Sequence, residues 1–357
     1  MLCEAGFFTA FLGSTHFAPN VIPVLILRWM FFRTELGAGL IKLRHDPCWR
    51  DLTCLYYHYE TQPLPNPLSR FFHQIPKNGH RASVLYSHFA QLVAPFFLFA
   101  PQPYASWAAA ICIAQQLILI ISGNYSWLNW MTAFLGISGF CDETLRFFHH
   151  PALAADPLPW RILLYGLAAS VVGLSVQPVL NLFSPDQAMN HSYNRYHLVN
   201  TYGAFGSVGK ERYEIILEGT TDPVPTADTV WLPYEFKGKP GDPHRCPPQV
   251  APYHLRLDWM IWFLPFNVRV GRNGIHVPGY DLWFLRFVQR LLTNDPTILK
   301  LMGPNPFPQA PPAAIRGLFY RYRFTTPEQK SQSGAWWTRE LLGTYLPPVN
   351  RDSLPGL

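Results

Sequence analysis

Leu27 to Pro67 reads LRWMFFRTELGAGLIKLRHDPCWRDLTCLYYHYETQPLPNP, an apolar helix that carries Arg28, Glu35 and Lys42 and leaves through a Cys48…Cys54 pair. Charges inside a lipid-length apolar run are costly, so they face a protein interior or a cavity. Seven residues of α-helix turn about 700°, roughly 20° short of two full turns. The three charges therefore lie on one stripe, at steps of about 10 Å, and that stripe must look into a helix bundle. Its partners are expected in the next apolar segment, at His88 and Gln91. Two readings of this polar cluster stand: an internal network that locks the bundle, or a cavity that binds a small molecule.

Composition supports a membrane protein with a water-facing appendage. The 357 residues are 49% hydrophobic and only 14% charged, against about 25% charged in ordinary domains. The excess of 28 Lys+Arg over 22 Asp+Glu suits membrane lipids with anionic headgroups or acidic partners. It lacks the basic–aromatic interleaving of a nucleic-acid interface, so no nucleic-acid partner is expected. Spans are expected at Val21–Leu43, Ser83–Pro101, Tyr104–Ser122, Trp127–Cys141 and Trp160–Phe183, the fourth short enough to be re-entrant. Leu2–Gly13 has neither a basic start nor a small-residue cleavage site, so it reads as the tail of a helix, not a signal peptide. From Ser184 onward polar and aromatic residues alternate between turns. The expected architecture is a membrane α-helical bundle over 1–183, followed by a soluble α+β domain with an antiparallel sheet over 184–357.

Between the first two spans, the loop 44–82 carries Trp49, Leu52, Leu55, Tyr56 and Tyr59 at helical steps, an amphipathic surface helix. Cys48 and Cys54 would sit about 600° apart on one helix. That is poor geometry for a disulfide unless the helix breaks, and free thiols and a redox pair remain open. His58, His73, His80 and His88 lack the i, i+4 pairing of helical metal ligands, so no metal is expected.

In the second part, Asn200–Gly219 reads as strand, glycine turn and strand, with Tyr213, Ile215 and Leu217 alternating with charges. A phosphate loop is rejected there, because Ala204 takes the first glycine position and Glu211 follows Lys210. Val230–Lys237 and Phe319–Phe324 read as strands, Asp281 opens a helix, and Ala335–Leu342 is expected as a final helix. His254–Phe263 fits helix and strand equally. Trp259, Trp262, Trp336 and Trp337 are candidate client-binding anchors or core residues.

The blocks from Gly37 to Pro67, SGNYSWLNW at Ser122–Trp130, NTYGAFGSVGKER from Asn200, YEFKGKPGDP from Tyr234 and PYHLRLDWMIWF from Pro252 resemble the lipase maturation factor family. The resemblance runs from about Val21 to Pro348. It implies a multi-pass membrane protein of the endoplasmic reticulum, or of the inner membrane in a bacterium. Its lumenal or extracytoplasmic domain would help secreted lipases fold and pair, and it implies neither a catalytic residue nor a cofactor. Relative to the family the chain is expected to lack the N-terminal tail and first span. Gly238 stands where animal members resemble YEFKCKPGDP, which leaves Cys246 without that nearby thiol. A shorter resemblance, Gly37–Trp49, is to vitamin K-dependent carboxylases, and it implies Lys42 as a base in an alternative intramembrane enzyme.

Overall fold

The chain divides into two compact units, Met1–Tyr56 with Ile75–Ile121 and Trp127–Val208, and Tyr57–Gln74 with Ser122–Ser126 and Gly209–Leu357. The computed structural model describes residues 1–13, 17, 20–144, 154–272 and 274–354.

The first unit is helical and is built around α2 (Val21–Arg44), which Asn20 opens by accepting the Ile22 N–H. Around it lie α1 (Leu2–Thr9), α6 (Lys77–His88), α7 (Tyr104–Ser122), α8 (Leu128–Gly136) and α9 (Leu158–Phe183). Met30, Phe31, Leu98, Ala109 and Cys112 pack at its centre. Among the described residues, Lys77–Phe99, α7 and α9 are long and apolar enough to cross a membrane. Helix α2 has 24 residues but is charged, and it meets its charges with protein partners. The helix begun by α6 widens into a π turn at Phe89–Val93 and tightens into a 3-10 turn at Ala94–Phe99. Pro95, which has no N–H, cannot continue the α register there.

The expected surface helix is two short ones, α3 (Pro47–Arg50) and α4 (Leu55–Thr61). Asp46 caps α3 by accepting the Cys48 N–H, and Leu52 adopts φ 58°, which ends helical continuity. That break lets Cys48 and Cys54 form a disulfide, with Cα atoms 4.8 Å apart.

The first unit runs on to Val208, past the boundary expected at Ser184. After α9 the chain turns back onto α2: Gln187 donates to the Gly37 carbonyl at 3.0 Å, and a Cβ on Gly37 would collide with the Tyr202 carbonyl. Gly37→Ala is expected to cost about 1–3 kcal/mol by overpacking, read as a lower thermal midpoint in detergent. Gly166→Ala, with open space around its Cβ, is the neutral control.

The second unit is α+β. Strands β1 (Arg212–Thr220), β2 (Leu232–Pro233), β5 (Ala314–Phe324) and β6 (Trp337–Val349) form an antiparallel sheet in the order β2-β1-β5-β6. A small hairpin, β3 (Arg269–Gly271) with β4 (Gly274–His276), accompanies it. On one face Ile215, Leu217, Ile315 and Phe319 pack with Phe284, Phe287, Val288 and Leu291 of α11 (Leu282–Leu292). Helices α5 (Ser69–His73), α10 (Arg256–Phe263), α12 (Pro296–Leu299) and α13 (Pro327–Ser333) complete the unit.

Several local expectations change. The segment expected as a final helix, Ala335–Leu342, is the start of strand β6. Helix α13 holds a Thr326/Gln329 capping box and stops at Gly334, φ 71°, and the Trp337 ring then stacks on Phe324 at 4.0 Å. Pairing with β5 overrides the helical propensity of Arg339, Glu340 and Leu341. Of Val230–Lys237 only Leu232–Pro233 is paired strand, and Asn200–Gly206 forms no strand. His254–Phe263 resolves as helix α10, because burial of Asp258 and Ile261 together needs the three-residue period.

Candidate functional site

The stripe on α2 separates into three settings. Gln91, on the π turn, joins two of its charges: its carbonyl accepts from Lys42 Nζ at 2.7 Å and its amide donates to Glu35 Oε2 at 3.2 Å. Gln116 of α7 donates to Glu35 Oε1 at 2.6 Å, and Asn129 of α8 donates to Gln116 at 2.6 Å. Lys42 also reaches Ser87 at 3.4 Å and lies 4.8 Å from the Trp49 ring centre. All five members of this chain from Lys42 to Asn129 are buried.

His88 is drawn off to the Trp49 carbonyl at 3.0 Å, while the Trp49 indole donates to the Phe205 carbonyl at 2.9 Å. Arg28 stands apart and donates to the Ser138 carbonyl at 2.5 Å. The α2 stripe thus joins α6–α8 through side-chain amides, and no ion pair links Glu35 to Lys42 among the described residues. A groove of about 610 Å³ between α2 and α9 is lined by apolar residues such as Ile22, Ile26, Trp29 and Val172, and neither Glu35 nor Lys42 lines it.

A second cluster, not anticipated, ties three parts of the first unit together. Glu4 of α1 pairs with Arg33 at 2.6 Å, and its other oxygen accepts from the Tyr202 hydroxyl at 2.6 Å and the Asn200 amide at 2.7 Å. Arg33 also donates to the Asn200 carbonyl. The signal for it was Arg33 itself, a fourth charge in the opening helix that the seven-residue stripe leaves out.

In the second unit the charges of β1 turn inward. Arg212 and Glu214 share a sheet face with Tyr322 and Trp337, and that face is covered. Arg212 donates to the carbonyls of Glu60, Gln62 and Pro63 at 2.9, 2.5 and 3.1 Å and pairs with Glu214 at 2.5 Å. Glu214 also contacts the buried Lys239. Asp258 accepts the Gly238 and Lys239 backbone N–H groups at 2.6 and 3.1 Å. Burial lowers the Arg212 guanidinium to about 9 and pulls Lys239 well below its usual value, while it raises Asp258. Glu60 works against the shift at Arg212, and Asp258 works against that at Lys239.

The four tryptophans part company. Trp337 is 1% exposed in the core, whereas Trp336 is half-buried with Lys330 Nζ 3.7 Å from its ring centre. Trp259 and Trp262 are half-buried on α10, their rings 6.1 Å apart, and Trp262 donates to the Thr61 carbonyl at 3.3 Å. Among the described residues, the one grouping of metal-ligand type is Asp46, Cys48 and Cys54. Its two sulfurs are already joined in the disulfide.

Comparison with known proteins decides the family. Residues 1–147 match the lipase maturation factor transmembrane domain and residues 198–347 match the lipase maturation factor C-terminal domain. Lipase maturation factor 1 of Bos taurus is 43% identical over 92% of this chain and 62% of its own length. The Homo sapiens protein of that name is 40% identical over 99% of the chain and 66% of its own length. The chain belongs to the lipase maturation factor family. Lipase maturation factor 2 of Xenopus tropicalis is 25% identical over 98% of the chain and 65% of its own length. The chain thus spans about two thirds or less of these relatives, and no solved structure matches it.

With its transmembrane-domain match and its apolar helices, this family member is a membrane protein. Its most recognisable sequence blocks build internal ties. LRHDPCWRDLTC supplies the disulfide and Trp49, NTYGAFG supplies Asn200 and Tyr202 to Glu4, and YEFKGKPGDP supplies Lys239 to Glu214. Gly238 sits where a Cβ would lie 2.9 Å from Leu255 Cδ1, and Cys246 is an exposed free thiol.

Proposed function

We propose that this membrane protein helps secreted lipases fold and pair, with its α+β unit on the lumenal side of the endoplasmic reticulum membrane. The observation that carries the reading is identity of about two residues in five, through both units, with proteins named lipase maturation factor 1. The geometry supports a scaffold. The three gatherings of buried charge are met from within, Lys42 by Gln91, Ser87 and Trp49, Glu4 by Arg33, Tyr202 and Asn200, and Glu214 by Arg212 and Lys239. A factor of this kind works by mass action, holding a partly folded monomer until it finds its partner, and needs no chemistry of its own. Trp336, half-buried beside Lys330 of α13, is the client contact this reading assigns.

The test is co-expression with a lipase of the lipoprotein-lipase class in cells deprived of their own factor. Active secreted lipase is expected to rise with the chain and to fall several-fold with Trp336→Ala. Lys42→Met is expected to leave activity per folded molecule unchanged, whereas an intramembrane enzyme that used Lys42 as its base would lose it. No rise in active lipase would refute the proposal.

A further inference from the structure

We propose that the outer face of α10 and its hairpin is a membrane-docking surface, which seats on a bilayer carrying anionic headgroups. This inference stands independently of the client reading. Helix α10 and the 3-10 turn Leu264–Asn267 bury Asp258, Ile261, Leu264 and Pro265 on their inner side. The outer side exposes Phe263 at 52% and Phe266 at 60%, and Tyr253 just ahead of α10 is 69% exposed. The rings form one patch: Trp262 lies 4.7 Å from Phe266, Phe263 lies 5.9 Å from Phe266, and Trp259 bridges His254 and Trp262. A contiguous apolar patch of this kind marks an interaction surface.

Charge around the patch selects the occupant. Across residues 250–276, His254, Arg256, Arg269, Arg272 and His276 are all exposed. The one carboxylate in that stretch, Asp258, is 0% exposed and is engaged by the backbone at 238–239. Exposed aromatic rings on a stretch whose exposed charges are all basic match the headgroup layer of a membrane. Trp and Tyr settle at that level, and arginine forks bind phosphate oxygens. An amphipathic helix in this setting lies in the interface plane with its apolar face about 5–10 Å deep.

The test places a photo-reactive benzoylphenylalanine at 263 or 266 of the full chain. The protein is held in nanodiscs of phosphatidylcholine with phosphatidylserine, and adducts are identified by mass. Lipid adducts are expected at both positions and not at Leu341, an exposed strand position. The same probe at Phe183, the 80% exposed end of α9, reports that lipid chemistry works in the sample. The R256E/R269E/R272E variant, with an unchanged thermal midpoint, is expected to lower the yield at 266 by at least about tenfold, because three attractions to the anionic surface become repulsions. Protein-only adducts, or none at 266 while 183 reacts, would overturn the proposal. So would a yield that neither pure phosphatidylcholine nor the charge reversal lowers.

Discussion

Glu214→Ala is expected to cost the α+β unit about 3–5 kcal/mol, because removing one partner of a buried ion pair strands the others. Arg212 and Lys239 would then face each other beneath the sheet with Asp258 already engaged by backbone N–H groups. Since total stabilities are about 5–15 kcal/mol, this takes a large share of the margin and should raise the unfolded fraction by roughly two to three orders of magnitude. Limited proteolysis of residues 209–354, or hydrogen exchange along β1 and β5, would report it. Replacing Glu214 and Lys239 together by methionine is expected to recover much of the loss, because an apolar pair of similar volume often matches a buried ion pair. If the double variant is worse than either single one, the network contributes through more than charge balance.

Arg33→Ala is the second large effect, at about 3–5 kcal/mol. It leaves Glu4, 1% exposed, without its cation and removes the donor to the Asn200 carbonyl. Within the first unit this would release α1 and the 187–205 segment from α2 together. Thermal unfolding in detergent should show a lower midpoint. Pairing the change with Glu4→Gln should give less than the sum of the two single losses, since the two residues act on each other. Additive losses would show that Arg33 works mainly through Asn200.

These energetic centres were only partly legible in the sequence. The α2 stripe was legible because charges in an apolar helix must find protein partners, and Gln91 is indeed hydrogen-bonded to both Glu35 and Lys42. Its extension through Gln116 and Asn129 was not anticipated, although both are polar residues within apolar segments. Which of them met Glu35 depended on helix rotation, which periodicity alone does not specify.

The inward charges of β1 were hidden by the alternation rule, which assigns the charged face of a strand to water. Here 57–74 and the 235–241 loop supply covers and counter-groups that lie far away in the sequence. The misread helix at Ala335–Leu342 has a similar cause, since a strand paired on a stacked Trp337 takes its geometry from β5. Helix α11 was clear because Phe284, Phe287, Val288, Leu291 and Leu292 fix one face by local periodicity alone, and all five are buried.

The most direct measurement reconstitutes the full chain in liposomes, adds a denatured lipase of the lipoprotein-lipase class, and follows the yield of active dimer. The account predicts that the yield climbs with the amount of chain, levels off near stoichiometric chain, and needs no added cofactor or nucleotide. A yield equal to that of protein-free liposomes would contradict it.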